Sequence, residues 1–127
     1  MSTRSFVLKI REDVFALEAL ITVVGDDLHI IVWGGDKPHI GAIALAQPRK
    51  SLENPENNSA TVSVLCILGH KEDSVVKYMS EKLAAELNRT IVVTAGMHWD
   101  VFEITDTEKV MKNVTKLAEM IKDHFTI

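Results

Sequence analysis

Phe6, Leu8 and Ile10 fall on alternate positions of the chain, the period-two pattern of a strand with one buried face. Arg11-Glu12-Asp13 interrupts it as a polar turn. From Val14 to Val24 the pattern resumes, with Phe15, Leu17, Ala19, Ile21 and Val23 on one side. Gly25-Asp26-Asp27 separates this run from Leu28-His29-Ile30-Ile31-Val32-Trp33, and a turn signal between two apolar runs predicts a hairpin. The third strand stops at Gly34-Gly35, and Ala42 to Ala46 forms a short fourth. Residues 47–60 carry Pro48, Pro55, several charges and three asparagines, the composition of a solvated loop. Thr61 to Leu68 is apolar at nearly every position, which predicts a fifth strand covered on both faces. Cys66 within it reads as a small core residue.

The period then changes. Val75, Val76, Met79, Leu83 and Leu87 recur at helical spacing and give one buried stripe. Glu72 and Asp73 fall in the first turn, where they oppose the positive end of the helix dipole, and Asn88-Arg89 ends the helix. Thr90 to Thr94 is a β-branched sixth strand. Thr105 with Glu108 has capping-box spacing, and Val110, Val114, Leu117, Ala118 and Ile121 form the stripe of a second helix. The order βββββαβα predicts an α+β fold, a mostly antiparallel sheet with two helices. The helix between the fifth and sixth strands allows that pair to be parallel. The 127 residues read as a single domain over 1–127, without repeats or low-complexity segments.

Composition narrows the function classes. The chain is 46% hydrophobic and 25% charged, a globular balance. A net charge of -4 and a pI near 5.7 exclude a broad basic footprint, so no nucleic-acid partner is expected. A single cysteine excludes an intrachain disulfide. No run approaches the ~20 apolar residues of a membrane span, and the first residues lack an apolar signal core, so the expected location is cytoplasmic, with no membrane partner. The Asn-x-Ser/Thr triplets at Asn57, Asn88 and Asn113 are then chance matches.

Candidate chemistry concentrates in three segments that pair glycine with histidine at strand ends: residues 34–41 (Gly-Gly-Asp-Lys-Pro-His-Ile-Gly), 69–73 (Gly-His-Lys-Glu-Asp) and 95–100 (Ala-Gly-Met-His-Trp-Asp). Glycine permits close backbone approach, and histidine supplies a ring that bonds or moves a proton near neutral pH. In the first, free amides between glycines suit an anion-binding nest, with Lys37 and His39 as donors and Pro38 as a stiffener; glycines serving turn geometry alone are the plainer reading. In the second, a helix start flanked by His70 and Lys71 suits a phosphate, opposed by Glu72 and Asp73. In the third, Asp100 can orient the His98 ring, and Met97 or Trp99 can pack on a flat ring system. Zinc on His39, His70 and His98 is conceivable, but the spacing matches no compact metal motif, and no metal ligand is assigned. His29 and His124 read as structural. No nucleophile elbow, Walker loop, dinucleotide fingerprint or His-Glu-x-x-His pattern occurs, and no catalytic residue is assigned. A small enzyme with a His98–Asp100 proton relay is a weaker reading.

Residues 34–41 and the run Thr94-Ala95-Gly96-Met97-His98 resemble signature segments of the prenylated-flavin chaperone family (LpdD-like), and the likeness extends from about Val14 to about Ile121. The resemblance implies a non-catalytic chaperone that binds prenylated FMN and assists maturation of a UbiD-type decarboxylase. Carried over by residue, Gly34, Gly35, Pro38, His39, Ile40 and Gly41 would form one wall of a flavin site, and Gly96 and His98 another. Lys37, His70 and Lys71 join the list from the donor and helix-start readings. The element order also resembles that of small proteasome assembly chaperones, which implies a homodimer. It leaves as an alternative a protein-interaction module with no small ligand.

Overall fold

The computed structural model describes residues 4–67 and 72–126. Its elements are β1 (Arg4–Ile10), β2 (Leu17–Val24), β3 (Asp27–Gly35), β4 (Ala42–Lys50), β5 (Asn58–Cys66), α1 (Asp73–Leu87), β6 (Ile91–His98) and α2 (Asp106–Phe125). The strands form one sheet in the order β1-β2-β3-β6-β4-β5. Its β3–β6 pair is parallel and the other pairs are antiparallel, so the α+β fold expected from the element order holds with a mixed sheet.

The parallel partner of β6 is β3, not β5. Ile91, Val93 and Ala95 are buried under the helices while Val92 and Thr94 are largely covered on the other side, and a strand apolar on both faces belongs in the sheet centre. β5 instead lies at the edge. Its outer positions Thr61, Ser63 and Leu65 alternate with Ala60, Val62 and Val64, so only one face is covered, and Leu65 is 73% exposed. Cys66, the last residue of that edge strand, is exposed rather than core. The segment 47–60 is mostly hairpin: β4 runs to Lys50 and β5 begins at Asn58, joined by polar rungs such as Arg49 Nε to Thr61 Oγ1 at 3.0 Å. Beyond Ala46, β4 has no partner on its other side, a position that tolerates Pro48 without a lost ladder bond.

Both helices lie on one face of the sheet, α1 over β4, β5 and β6, and α2 over β1 and β2. Ala42, Ala44 and Ala46 are short enough for α1 to sit close, and Leu17, Ile21, Ile30 and Val93 fill the core with Met79, Leu83, Leu117 and Ile121 of the helices. The helix stripes fall as their periodicity predicts. α1 ends where Asn88 adopts a left-handed conformation (φ 54°), a usual helix stop. At Thr105 the backbone is already helical and the side chain makes no cap bond, so the capping box is not formed; the Asp106 carboxylate instead accepts the Glu103 amide at 3.0 Å. His124 stacks on Phe6 with centroids 4.0 Å apart, which locks the last turn of α2 onto β1. His29, read as structural, stands exposed on β3.

The opposite face of the sheet has no covering element among the described residues. Val92, Ile31, Ile43, Leu45 and Leu65 crop out there, flanked by Val7, Leu20 and Trp33.

Candidate functional site

β3 and β4 are not neighbours; β6 lies between them. The segment 36–41 must therefore cross the end of β6, and the glycines make that crossing possible. The amides of Asp36 and Lys37 donate to the His98 carbonyl at 2.7 and 3.3 Å, and Gly41 N donates to the Ala95 carbonyl at 2.9 Å. The His39 backbone lies directly on Gly96, where a Cβ would collide with its carbonyl. A Cβ at Gly35, at φ +86°, would strike the His98 backbone, and one at Gly34 would come within 2.8 Å of the Ala16 carbonyl and the Leu17 side chain. A Cβ at Gly41 would strike the Glu72 carboxylate. Each of these four glycines thus admits another part of the chain itself.

Glu72 is the hub of this end of the molecule. It stands at the N-cap of α1, yet its side chain makes no cap bond and is 8% exposed. It turns inward: Oε1 lies 3.0 Å from His39 Nε2 and accepts the Met97 amide at 3.4 Å, joining the crossing segment, β6 and α1. Its other oxygen, Oε2, is buried with no hydrogen-bond partner among the described residues. His39 Nδ1 lies 3.0 Å from the Lys37 carbonyl, which fixes the ring. The expectation that Glu72 only opposes the helix dipole is therefore incomplete. Its partners come from segments some thirty residues before and twenty-five after it, a convergence no local pattern announces.

A second polar cluster lies alongside. His98 Nε2 is 3.2 Å from Asp100 Oδ1, as the spacing of the two residues suggests. Lys37 Nζ is 3.5 Å from the same oxygen, and Asp36 accepts the Asp100 amide at 2.9 Å. Among the described residues no group of three or more His, Cys, Asp or Glu side chains is arranged to hold a metal ion.

A cleft of about 760 Å³ opens between the start of α1, the end of β6 and the start of α2. Glu72, Asp73, Ser74, His98, Asp100 and Thr107 supply its polar groups, and Val75, Met97, Trp99, Phe102, Val110 and Met111 its apolar wall. Trp99 and Phe102 lie near parallel, 19° apart with centroids separated by 6.1 Å, and Phe15 packs edge-on against both. The buried Asn113 holds the Phe15 loop in place by donating from Nδ2 to the Glu12 and Phe15 carbonyls at 3.0 and 2.9 Å. Neither this aromatic cluster nor the Asn113 clamp is visible in the sequence, where Phe15 stands far from Trp99 and Phe102.

Of the residues singled out from the sequence, Met97, His98, Trp99 and Asp100 line this cleft, and His39 reaches it through Glu72. Gly96, Gly41, Lys37 and Ile40 belong to the crossing beside it and line neither this cleft nor the next. Gly34, Gly35 and Pro38 line a second, smaller hollow of about 390 Å³ with Trp33, Glu18 and Arg11. Of residues 34–41, three thus line the smaller hollow and none lines the larger cleft. His70 and Lys71 lie outside the described residues.

These features fit a small binding domain, and comparison with known proteins gives the class. The profile of the prenylated flavin chaperone LpdD-like domain matches residues 11–126, and the chain belongs to this family. Protein LpdD of Lactiplantibacillus plantarum is 25% identical over 87 residues; the match spans 66% of this chain and 58% of that protein. A chain in the crystal structure of a novel chaperone complex for yeast 20S proteasome assembly superposes with a TM-score of 0.64 at 15% identity, over 98% of this chain and 99% of that one. That likeness concerns the fold. No helix among the described residues is long and apolar enough to cross a membrane.

Proposed function

We propose that this chain is a non-catalytic cytoplasmic chaperone that holds prenylated FMN and delivers it to a UbiD-type decarboxylase. The cleft at the end of β6 carries the reading. Its volume lies within the ~300–1,000 Å³ of small-molecule sites, and its lining combines the aromatic rings of Trp99 and Phe102 with polar groups such as His98, Ser74 and Thr107. A flavin suits such a site because its ring system is planar and largely apolar while its edge carries hydrogen-bonding groups. His98 is the proposed direct contact. His39, Gly41 and Gly96 hold Glu72 and the β6 end in place behind it. Gly34, Gly35, Lys37, Pro38 and Ile40 shape the crossing, and His70 and Lys71, which precede Glu72 in the chain, are the proposed phosphate partners. In the test, the protein is co-expressed with a flavin prenyltransferase, and the retained chromophore is read by absorbance and mass. Retained prenylated FMN, weakened by His98→Ala and His39→Ala, is expected. A protein that retains no flavin, oxidised or reduced, overturns the proposal.

A homodimer is part of the same reading. The uncovered sheet face supports it, because an apolar patch of that extent on a soluble chain marks a contact surface. The double variant Ile43→Lys/Leu45→Lys is expected to sediment as a monomer where the unaltered chain sediments as a dimer; a monomeric unaltered chain refutes this part. The same face favours the alternative of a protein-interaction module without a small ligand. Co-purification with proteasome-type subunits and an empty cleft would select that alternative.

A further inference from the structure

Apart from Leu52 in the turn between β4 and β5, the most exposed large apolar side chains stand at the cleft end of the molecule. Val14, Val101 and Ile104 are 77%, 86% and 89% exposed, and Phe102, beside them, both lines the cleft and reaches solvent. The contacts of Phe15 with Trp99 and Phe102 bring the segment that carries Val14 against the 99–104 segment that carries Val101 and Ile104, so these residues share one end of the molecule. The rim is acidic. Asp73 and Asp100 border the cleft, Glu103 and Asp106 stand in the same loop and at the start of α2, and the nearby cations Lys37 and Lys109 each already lie against one of these carboxylates, at 3.5 Å from Asp100 and Asp106.

An apolar centre with an acidic border is a poor match for a second copy of itself, since the same carboxylates would face each other across a two-fold axis. It is equally poor for a membrane surface, whose headgroups are anionic. It suits a protein surface with an apolar centre and a basic border. An enzyme that takes up a phosphorylated cofactor carries cations and amide donors where the phosphate will sit, so its vacant cofactor entrance has that character. We infer that the Val14–Val101–Phe102–Ile104 rim docks the recipient enzyme at its empty cofactor entrance, mouth to mouth with the cleft. The inference rests on the chaperone reading above and adds the surface, its charge and the orientation of delivery. The acidic border then steers the basic entrance into place.

The experiment measures binding of the full chain to an immobilised, cofactor-free UbiD-type decarboxylase by interferometry, at low and at moderate salt, alongside flavin retention by the chain alone. Val101→Ser/Ile104→Ser is expected to weaken binding by about tenfold or more, the effect of losing a central apolar contact. Glu103→Lys is expected to slow association and to flatten its salt dependence. Both variants change exposed side chains outside the cleft and retain flavin like the unaltered protein. If the unaltered protein retains flavin and binds the decarboxylase but the variants bind equally well, the docking surface is wrong and the chaperone reading stands. If the unaltered protein retains no flavin, the chaperone reading falls and the inference with it.

Discussion

Gly96→Ala is the sharpest test of the crossing over β6. The added methyl would collide with the His39 carbonyl and lie 3.0 Å from the Ile40 nitrogen. These are backbone atoms, so no side chain can swing away. Either β6 moves within the sheet or residues 36–41 lift off it. Lifting strains the Gly41–Ala95 and Asp36–His98 bonds at 2.9 and 2.7 Å and the 3.0 Å approach of His39 to Glu72. Overpacking of this kind costs about 1–3 kcal/mol, and one or two weakened hydrogen bonds add about 1 kcal/mol each, so the expected loss is about 3 kcal/mol. Gly25→Ala is the control. Gly25 sits at φ +61° with nothing within 4 Å of an added Cβ, so it bears only the left-handed backbone penalty of about 1 kcal/mol. With a urea slope of about 2 kcal/mol/M, the midpoints fall by about 1.5 M for Gly96→Ala and about 0.5 M for Gly25→Ala, followed by far-UV circular dichroism. A Gly96→Ala loss equal to or below that of Gly25→Ala refutes the close crossing.

Three further outcomes follow from single contacts. Asn113→Ala leaves two carbonyls of the Phe15 loop without their donor and is expected to lower stability by about 2 kcal/mol; an unchanged urea midpoint contradicts the clamp. The hydrogen bond from Lys82 holds the Glu119 carboxyl below its ordinary range, so the stability it contributes is fully present above the usual carboxylate pKa and lost as pH falls through the lowered value. In Lys82→Met the Glu119 titration, followed by carbon NMR, is expected to move back up toward the ordinary glutamate range, and no movement rejects the assignment. Exposed Cys66 is expected to react with a thiol reagent in the folded protein at the rate seen in urea, and strong protection places it elsewhere.

Much of the fold is legible along the chain because its elements are locally consistent. The helix stripes at Val75–Leu83 and Val110–Ile121, the Gly25 hairpin and the alternation of Phe6, Leu8 and Ile10 each follow from one period and one turn signal. The position of β6 is not legible that way, since pairing with β3 rather than β5 depends on which faces the helices cover. The Thr61 and Ser63 positions do mark β5 as one-faced, and weighing them above its valines would have placed it at the edge and Cys66 in solvent. At the site, the glycine–histidine segments do point to where the chain folds onto itself, and residues 36–41 meet the β6 end as their pairing suggests. Their glycines serve that self-contact. To the Met97 and Trp99 named from the sequence the cleft wall adds Phe102 and Met111, and its hub is Glu72, residues whose meaning appears only when distant segments meet.

The central place of β6 also bears on how the chain matures. During synthesis the β1–β2–β3 meander and the β4–β5 hairpin emerge before β6, each with a bare edge waiting for that strand. Until then the two halves have no ladder between them, and those edges are open to pairing with other nascent chains. Sheet completion is one late, long-range zippering event, which sets a slow folding step typical of high contact order. Until β6 is in place, the edges of β3 and β4 thus have to be kept from the edges of neighbouring chains.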